Sequence, residues 1–149
     1  EYFEESYLTF SLPNFVSPIT DQETIKKRYY TDNSLLNNFL FNGETKLLEN
    51  LCAIHLMKKY SNTDEPRLFY YNRNIEVDFY VPDVGLAVQA SFDMNDTETR
   101  NREISALVSL NKVFPLQRAV IVTRDHEEKI TTNELIIDVV PIWKWLLYV

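Results

Sequence analysis

Four polar residues in the centre of the chain have types and spacing that could form a single catalytic or binding site. Glu76 and Asp78 stand two residues apart, and so do Gln89 and Ser91. Residues two apart on a strand lie on the same face, so paired strands would place Asp78 opposite Gln89 and Glu76 opposite Ser91. Directly opposed Cβ atoms are about 4.5–5.5 Å apart. Because hard cations such as Mg²⁺ prefer oxygen ligands, the carboxylates of Glu76 and Asp78, together with that of Glu49, are candidates for weak metal binding.

A predicted β-hairpin over residues 75–92 (IEVDFYVPDVGLAVQASF) positions these side chains. Pro82, Asp83 and Gly85 are turn-formers, and they separate two runs rich in β-branched and aromatic residues. Folding the chain at this turn gives one wholly apolar face, made of Val81 opposite Leu86, Phe79 opposite Val88, Val77 opposite Ala90 and Ile75 opposite Phe92. A slip of one residue would reverse both faces, so the apolar face supports this register.

A third carboxylate, Glu49, lies on a predicted helix over residues 43–60. Leucine, isoleucine and methionine recur there at three- and four-residue spacing, at Leu47, Leu48, Leu51, Ile54 and Met57. Glu49 falls between two of these apolar positions. Two interpretations are open: Glu49 lies at the edge of the buried stripe and reaches water, or it faces the polar cluster.

The other predicted elements complete an α/β order. Strands are expected at 6–12, 25–30, 67–72, 119–123 and 135–140. Helices are expected from Asn95 or Asp96 to 111 and over a short C-terminal segment that Pro141 opens, since proline suits a first helical position. The run AVIVT is continuously apolar, which is typical of a strand buried on both faces. Strand, helix and strand from 86 to 123 predict a parallel crossover. We expect an N-terminal strand-containing extension at 1–42 and one compact α/β core at 43–149.

Composition excludes several classes of protein. The chain of 149 residues has two glycines, so neither GxxxxGK nor GxGxxG is present. A single cysteine excludes an intrachain disulfide. No stretch of 18 apolar residues occurs, so we expect no membrane contact and a cytoplasmic location. The net charge of −7 opposes indiscriminate binding to nucleic acid, although it leaves room for a local basic patch. Since the sequence begins at Glu1 without methionine, we expect it to be a piece of a longer protein.

The carboxylate on the first core helix and the Asp-x10-Gln-x-Ser spacing across the hairpin resemble the PD-(D/E)XK nuclease-like fold. In that superfamily an Asp and a Glu hold magnesium, and a lysine two residues after the Glu helps to orient the attacking water. The matching positions here are Asp78, Gln89 and Ser91, with Glu49 on the helix. Two of the three signature residues are therefore substituted.

Six phrases of the sequence are similar to the C-terminal domain of unknown function that follows the AAA+ module in a family of prokaryotic ATPases. The phrases are KKRYYTDNSLL, KLLENLCAIHL, RLFYYNRNIEVDFYV, GLAVQAS, DTETRNREISAL and VVPIWKWLL. The resemblance implies a restriction-endonuclease-like core with a mixed central sheet flanked by helices. It also implies that ATP hydrolysis belongs to a preceding module, so we expect no nucleotide binding and no firmly held cofactor in this chain.

Three functions follow as alternatives. The first, which we favour, is a non-catalytic regulatory or interaction domain of an AAA+ ATPase, contacting DNA or a partner protein through a degenerate site. The second is a divergent magnesium-dependent nuclease that uses Glu49, Asp78 and a migrated cation, with Arg100 and Arg102 as candidates for that cation. The third is a structural module that forms a homo-oligomer through its aromatic surface. The substitutions at Gln89 and Ser91 count against the second.

Overall fold

A computed structural model describes residues 6–18, 26–38, 43–61 and 66–148. The elements in chain order are β1 (Thr9–Pro13), β2 (Lys26–Tyr30), α1 (Asn33–Asn37), α2 (Glu44–Tyr60), β3 (Phe69–Asn72), β4 (Glu76–Val81), β5 (Leu86–Ala90), α3 (Thr97–Val113), β6 (Arg118–Thr123), β7 (Glu128–Thr131), β8 (Ile136–Pro141) and α4 (Ile142–Tyr148). The strand predicted at 6–12 is observed from Thr9, and it continues to Pro13, whereas residues 6–8 form a turn and a bend. The strand predicted at 25–30 is confirmed over 26–30, and residue 25 lies outside the described residues.

The main sheet has six strands in the order β3-β4-β5-β6-β8-β7. Strands β3, β4 and β5 are antiparallel, β5, β6 and β8 are parallel, and β7 is antiparallel at the edge. The predicted parallel crossover through α3 is therefore confirmed. The class is α/β with a mixed central sheet. No helix within the described ranges is long and apolar enough to cross a membrane.

Helices cover both faces of this sheet and enclose two hydrophobic cores. One core joins α2 and the buried Trp145 of α4 to the sheet, and also includes Leu12 and Tyr29 of the β1–β2 ribbon. The other joins α3 to the opposite face through residues such as Leu107 and Leu110. Strand β6 serves both cores in alternation, because Val120 and Val122 face α2 while Ala119 and Ile121 face α3. The prediction of a strand buried on both faces is confirmed.

The hairpin pairs as predicted near its turn and differs from the prediction beyond it. Phe79 pairs with Val88, and Val81 pairs with Leu86. Gly85 closes the turn with a φ of 58°, and a Cβ there would lie 3.0 Å from the backbone nitrogen of Gln117. This left-handed conformation costs glycine little and other residues more.

A β-bulge in β4 overturns the predicted faces at the open end of the hairpin. Two residues of β3, Phe69 and Tyr71, pair with Tyr80 and Val77, so β4 carries one extra residue between these pairs. Val77 and Tyr80 consequently both face the α3 core, whereas Phe79 faces the α2 core. The prediction that Val77 shares the face of Phe79 is wrong. The predicted pairing of Ile75 with Phe92 on one face is also wrong, because Ile75 packs on the α3 core and Phe92 on the α2 core. A bulge re-aims side chains in this way.

Three smaller differences concern local signals. Asp96, and not Asn95, caps α3, because its Oδ2 accepts a hydrogen bond of 2.7 Å from the backbone N–H of Thr99. Strand β7 was not predicted, since EKIT is short and half exposed. Pro141 ends β8 and does not begin the last helix.

Candidate functional site

The carboxylates of Glu49, Glu76 and Asp78 converge on one ammonium group, that of Lys27. Lys27 Nζ lies 3.4 Å from Glu49 Oε1, 2.5 Å from Glu76 Oε1 and 3.2 Å from Asp78 Oδ1. The side chains of Lys27 and Asp78 are 25% and 17% exposed, so the pair is largely removed from water. The structure thus brings together the three acids singled out in the sequence and adds a cation that sequence reasoning missed. We call these four residues the Lys27 cluster.

Local structure explains why each member of the Lys27 cluster points inward. Strand β2 alternates, so Lys27 and Tyr29 share the face that packs on the core, and Tyr29 is 5% exposed. The bulge in β4 turns Asp78 out of the regular alternation. Glu49 follows Leu48, a buried residue of α2, at the boundary of the helix stripe. Of the two interpretations open for Glu49, the one facing the polar cluster is correct.

Further hydrogen bonds fix the orientation of the carboxylates. The Tyr29 hydroxyl donates to Glu49 Oε1 at 2.8 Å, and the backbone N–H of Ala90 donates to Asp78 Oδ2 at 3.0 Å. Each oxygen of Asp78 therefore has a partner, one on β2 and one on β5. The arrangement is a satisfied charge network that ties β2, α2, β4 and β5 together.

The electrostatics of the Lys27 cluster follow from burial and crowding. Burial and the nearby Glu49 carboxylate raise the pKa of Asp78 to about 7, against the opposing effect of Lys27. Burial lowers the pKa of Lys27, but Asp78, Glu49 and Glu76 outweigh it and hold that pKa above its ordinary value. Burial and Glu49 also raise the pKa of the Tyr29 hydroxyl. The lysine therefore stays charged, and one cation is shared among crowded acids.

The Gln89 side chain hydrogen-bonds to the β4 backbone beyond the point where the backbone ladder between β4 and β5 ends. The β4–β5 pairing ends at Phe79 and Val88. Beyond it, Gln89 Oε1 accepts from the backbone N–H of Asp78 at 2.7 Å, and Gln89 Nε2 donates to the carbonyl of Glu76 at 3.1 Å. The side chain is thus next to Asp78, as predicted, but it bonds to the backbone and both ends of its amide are engaged.

Ser91 is also engaged locally. Its hydroxyl donates to the carbonyl of Asp93 at 3.1 Å, and its backbone N–H donates to Val122 at 2.9 Å. Ser91 is 4% exposed. The predicted pairing of Ser91 with Glu76 is not observed, because the β4–β5 ladder ends at Phe79 and Val88.

A cleft of about 530 Å³ opens where β4 and β5 diverge, between α2 and α3. Glu49, Glu76, Asp78 and Gln89 line it, with contributions from α3 that include Arg102 and Glu103. Glu103 is 6% exposed, and its Oε1 accepts a hydrogen bond of 2.7 Å from Arg102. The charged residues that line the cleft are therefore four acids and one arginine.

Neither arginine proposed from the sequence contacts the Lys27 cluster through an ion pair. Arg100 forms a bidentate pair with Glu128 of β7, and Arg102 pairs with Glu103. The cation is Lys27, which the predicted strand at 25–30 contained. One signal was available: in KKRYY, alternation places Lys27 on the same face as Tyr29, so an aromatic core position predicts an inward-facing lysine.

The capacity of the site for metal is limited by its own lysine. Within the described ranges, no group of three or more His, Cys, Asp or Glu residues is arranged to hold a metal ion. Glu49, Glu76 and Asp78 would be the ligands of a cation in this cleft. The Lys27 ammonium makes with their oxygens the contacts that such an ion would make.

One curated relative matches almost the whole chain. It is an uncharacterized protein of Methanocaldococcus jannaschii (MJ1544), 34% identical over 156 aligned residues that include 99% of this chain. The chain spans 35% of the length of that relative. No protein-family model matches the chain, and no solved structure matches it.

Proposed function

We propose that this chain is a non-catalytic regulatory or interaction domain with a degenerate PD-(D/E)XK nuclease-like site, part of a longer AAA+ ATPase. The observation that carries the proposal is the contact of one lysine ammonium with all three acids of the cleft. A magnesium ion that drives phosphodiester cleavage needs anionic oxygens and open positions for water and substrate. In the Lys27 cluster, the Lys27 ammonium already forms ion pairs with those oxygens.

The substituted signature positions support the same proposal. Gln89 has lost the charge of a carboxylate, and its carbonyl oxygen is held by the backbone N–H of Asp78. Ser91 is neutral, and its hydroxyl donates to the main chain. Neither position therefore supplies the carboxylate or the cation of the nuclease signature.

The association with an ATPase module rests on the sequence resemblance and on length. The relative from M. jannaschii is almost three times as long as the segment it shares with this chain, which leaves room for a nucleotide-binding module. With two glycines and no phosphate loop, this chain should not bind ATP by itself. Its partners would be that module and either DNA or a protein on which the ATPase acts.

A cleavage assay tests the non-catalytic proposal. Supercoiled plasmid and a 5′-labelled single-stranded oligonucleotide are incubated with the purified chain and Mg²⁺ or Mn²⁺, beside Asp78→Ala prepared in the same way. We expect no cleavage above the Asp78→Ala control. Chelator-sensitive cleavage by the wild type that disappears in Asp78→Ala would overturn the proposal.

The second candidate, a divergent magnesium-dependent nuclease, is favoured by one observation. Lys27 lies beside Glu49 and Asp78 and supplies a cation absent from position 91. If the chain is such a nuclease, Lys27→Met would abolish cleavage, and Asp78→Ala would abolish it as well. The same assay therefore separates the two functions.

A further inference from the structure

One face of the two-stranded ribbon β1–β2 packs on the core through Leu12 and Tyr29. The opposite face carries two exposed basic residues among buried and half-buried neighbours. Its antiparallel register pairs Pro13 with Lys26, Ser11 with Arg28 and Thr9 with Tyr30. Since successive side chains alternate between faces, these six residues share the face opposite to Lys27 and Tyr29. Lys26 and Arg28 are both exposed.

A second element extends this basic face. Lys46 lies in the first turns of α2 and is exposed, and it lines a groove of about 290 Å³ together with Arg28, Tyr30 and Asn50. The groove runs between β2 and α2. We call Lys26, Arg28, Tyr30 and Lys46 the basic ribbon face.

Among the residues that the structure describes, the cations of this face differ from most other basic residues because no carboxylate pairs with them. Within the ranges that the structure describes, neither Lys26, Arg28 nor Lys46 forms an ion pair. Ion pairs do hold a large set of other basic residues: Lys27, Arg67, Arg100, Arg102, Lys112, Arg124, Lys129 and Lys144. The carboxylate that lines the groove, Glu49, already accepts from Lys27 and Tyr29. Positive charge is therefore left over on this face of a chain whose net charge is −7.

We propose that the basic ribbon face binds the phosphodiester backbone of a nucleic acid strand. The Cα atoms of Lys26 and Arg28 are about 6.8 Å apart, because each residue of an antiparallel strand adds about 3.4 Å. This spacing is close to the separation of consecutive phosphates in an extended single strand. Arginine and lysine side chains bind phosphate. Ser11 stands opposite Arg28 on the ribbon, and Thr9 stands opposite Tyr30. Tyr30 adds a ring beside the cations, and aromatic rings are the platforms on which bases stack.

This inference rests on the proposed function, because it names the partner class of the same interaction domain. A local basic face would also make binding to nucleic acid compatible with the net charge of −7. Repulsion by the net charge keeps nonspecific binding weak, whereas a few unneutralised cations act locally and are screened by salt. Binding by the basic ribbon face is therefore expected at low ionic strength and with a steep dependence on it.

The test measures fluorescence anisotropy of a fluorescein-labelled single-stranded oligonucleotide, in EDTA and over a series of salt concentrations. The patch variant is Lys26→Gln with Arg28→Gln. The matched control is Lys58→Gln with Arg118→Gln, which removes one lysine and one arginine that are exposed elsewhere. Thermal melting checks that both variants are folded.

We expect the patch variant to bind about five- to tenfold more weakly than the wild type, as two exposed charge contacts allow. Its plot of log affinity against log salt concentration should be less steep by about 1.4, the value for two lost contacts on a single strand. The control should stay within about twofold of the wild type, and Lys46→Gln should lose about two- to threefold.

Three outcomes would overturn the inference: no binding by the wild type at low salt, equal losses in the patch and control variants, or equal binding of poly-glutamate with the same dependence on Lys26 and Arg28. The last would assign the face to an acidic protein segment. Because EDTA prevents metal-dependent cleavage, a failure here is distinct from a failure of the non-catalytic proposal.

Discussion

Lys27 and Asp78 form an ion pair of 3.2 Å between Nζ and Oδ1, although they are 51 residues apart in the chain. The pair joins the β1–β2 ribbon to the central hairpin. It is supported by Glu49 from α2 and by Glu76 from β4. One lysine therefore fixes an N-terminal ribbon to the acidic cleft and neutralises part of the charge of that cleft.

Replacing Lys27 with methionine should destabilise the fold. Three carboxylates would lose their shared cation, and removing one partner of a buried pair is costly. Since the Lys27 side chain retains 25% exposure, we expect a loss of about 2–3 kcal/mol in the free energy of unfolding, below the range for fully buried pairs. Urea denaturation at pH 7 measures it. Lys26→Met is the matched control, and its loss should stay within about 0.5 kcal/mol because Lys26 is exposed. Equal losses would contradict the role of Lys27.

Removing Lys27 should also change metal binding. Without the ammonium, Glu49, Glu76 and Asp78 present uncompensated oxygens to the cleft, and crowded carboxylates favour a counter-charge. We expect Lys27→Met to bind Mn²⁺ about tenfold more tightly than the wild type, as a change of about 1.4 kcal/mol would produce. Isothermal titration calorimetry measures the affinity. Adding Asp78→Asn should remove the gain, and an unchanged affinity in Lys27→Met would contradict the competition.

Truncating Gln89 should cost stability although no charge is lost. In Gln89→Ala, the backbone N–H of Asp78 and the carbonyl of Glu76 lose their partners. Because these two hydrogen bonds are only partly buried, we expect a loss of about 1–2 kcal/mol, in the lower part of the range for unsatisfied groups. Gln117 is an exposed glutamine, so Gln117→Ala should cost less than about 0.5 kcal/mol. The comparison is made by urea denaturation, and similar values for the two variants would show that the Gln89 amide contributes little.

The Arg100–Glu128 pair should give stability that disappears in acid. Its bidentate hydrogen bonds from Arg100 and the bond with His126 lower the pKa of Glu128 to about 2, from an ordinary value of 4.5. The folded state therefore binds fewer protons than the unfolded state between these values. The contribution is fully present above about pH 4.5 and is lost as pH falls through about 2.

Glu128→Gln should accordingly lower the free energy of unfolding by about 1 kcal/mol at pH 7, a value limited by the 29% exposure of the side chain. The difference from the wild type should shrink as unfolding is measured at pH 5, 4 and then 3 on the way to the pKa of about 2. Glu134→Gln is the control, because its pair with Lys112 is longer, at 3.6 Å, and more exposed. A difference that does not shrink in acid would contradict the assignment.

Local patterns in the sequence predicted most of the elements. The three- and four-residue spacing of apolar side chains indicated α2, and observed α2 begins one residue later, at Glu44. The turn residues from Pro82 to Gly85 indicated the hairpin and its register at Phe79 and Val88. These signals depend on neighbouring residues alone, through backbone preference and through which face of an element is apolar. They also selected Glu49, Asp78 and Gln89, because a polar residue in an apolar pattern is visible without a structure.

The bulge and the cation were decided by tertiary structure. Alternation along β4 predicts one face for Val77 and Phe79. In the structure, the bulge adds one residue to β4, and Val77 packs against α3 while Phe79 packs against α2. Lys27 lies far from Asp78 in the chain, and nothing in the local pattern around either residue specifies the other. Arg100 and Arg102 were nearer in sequence, but α3 directs them to Glu128 and Glu103. Ion pairing depends on distances in space, and those distances are set when the β1–β2 ribbon packs on the core through Leu12 and Tyr29.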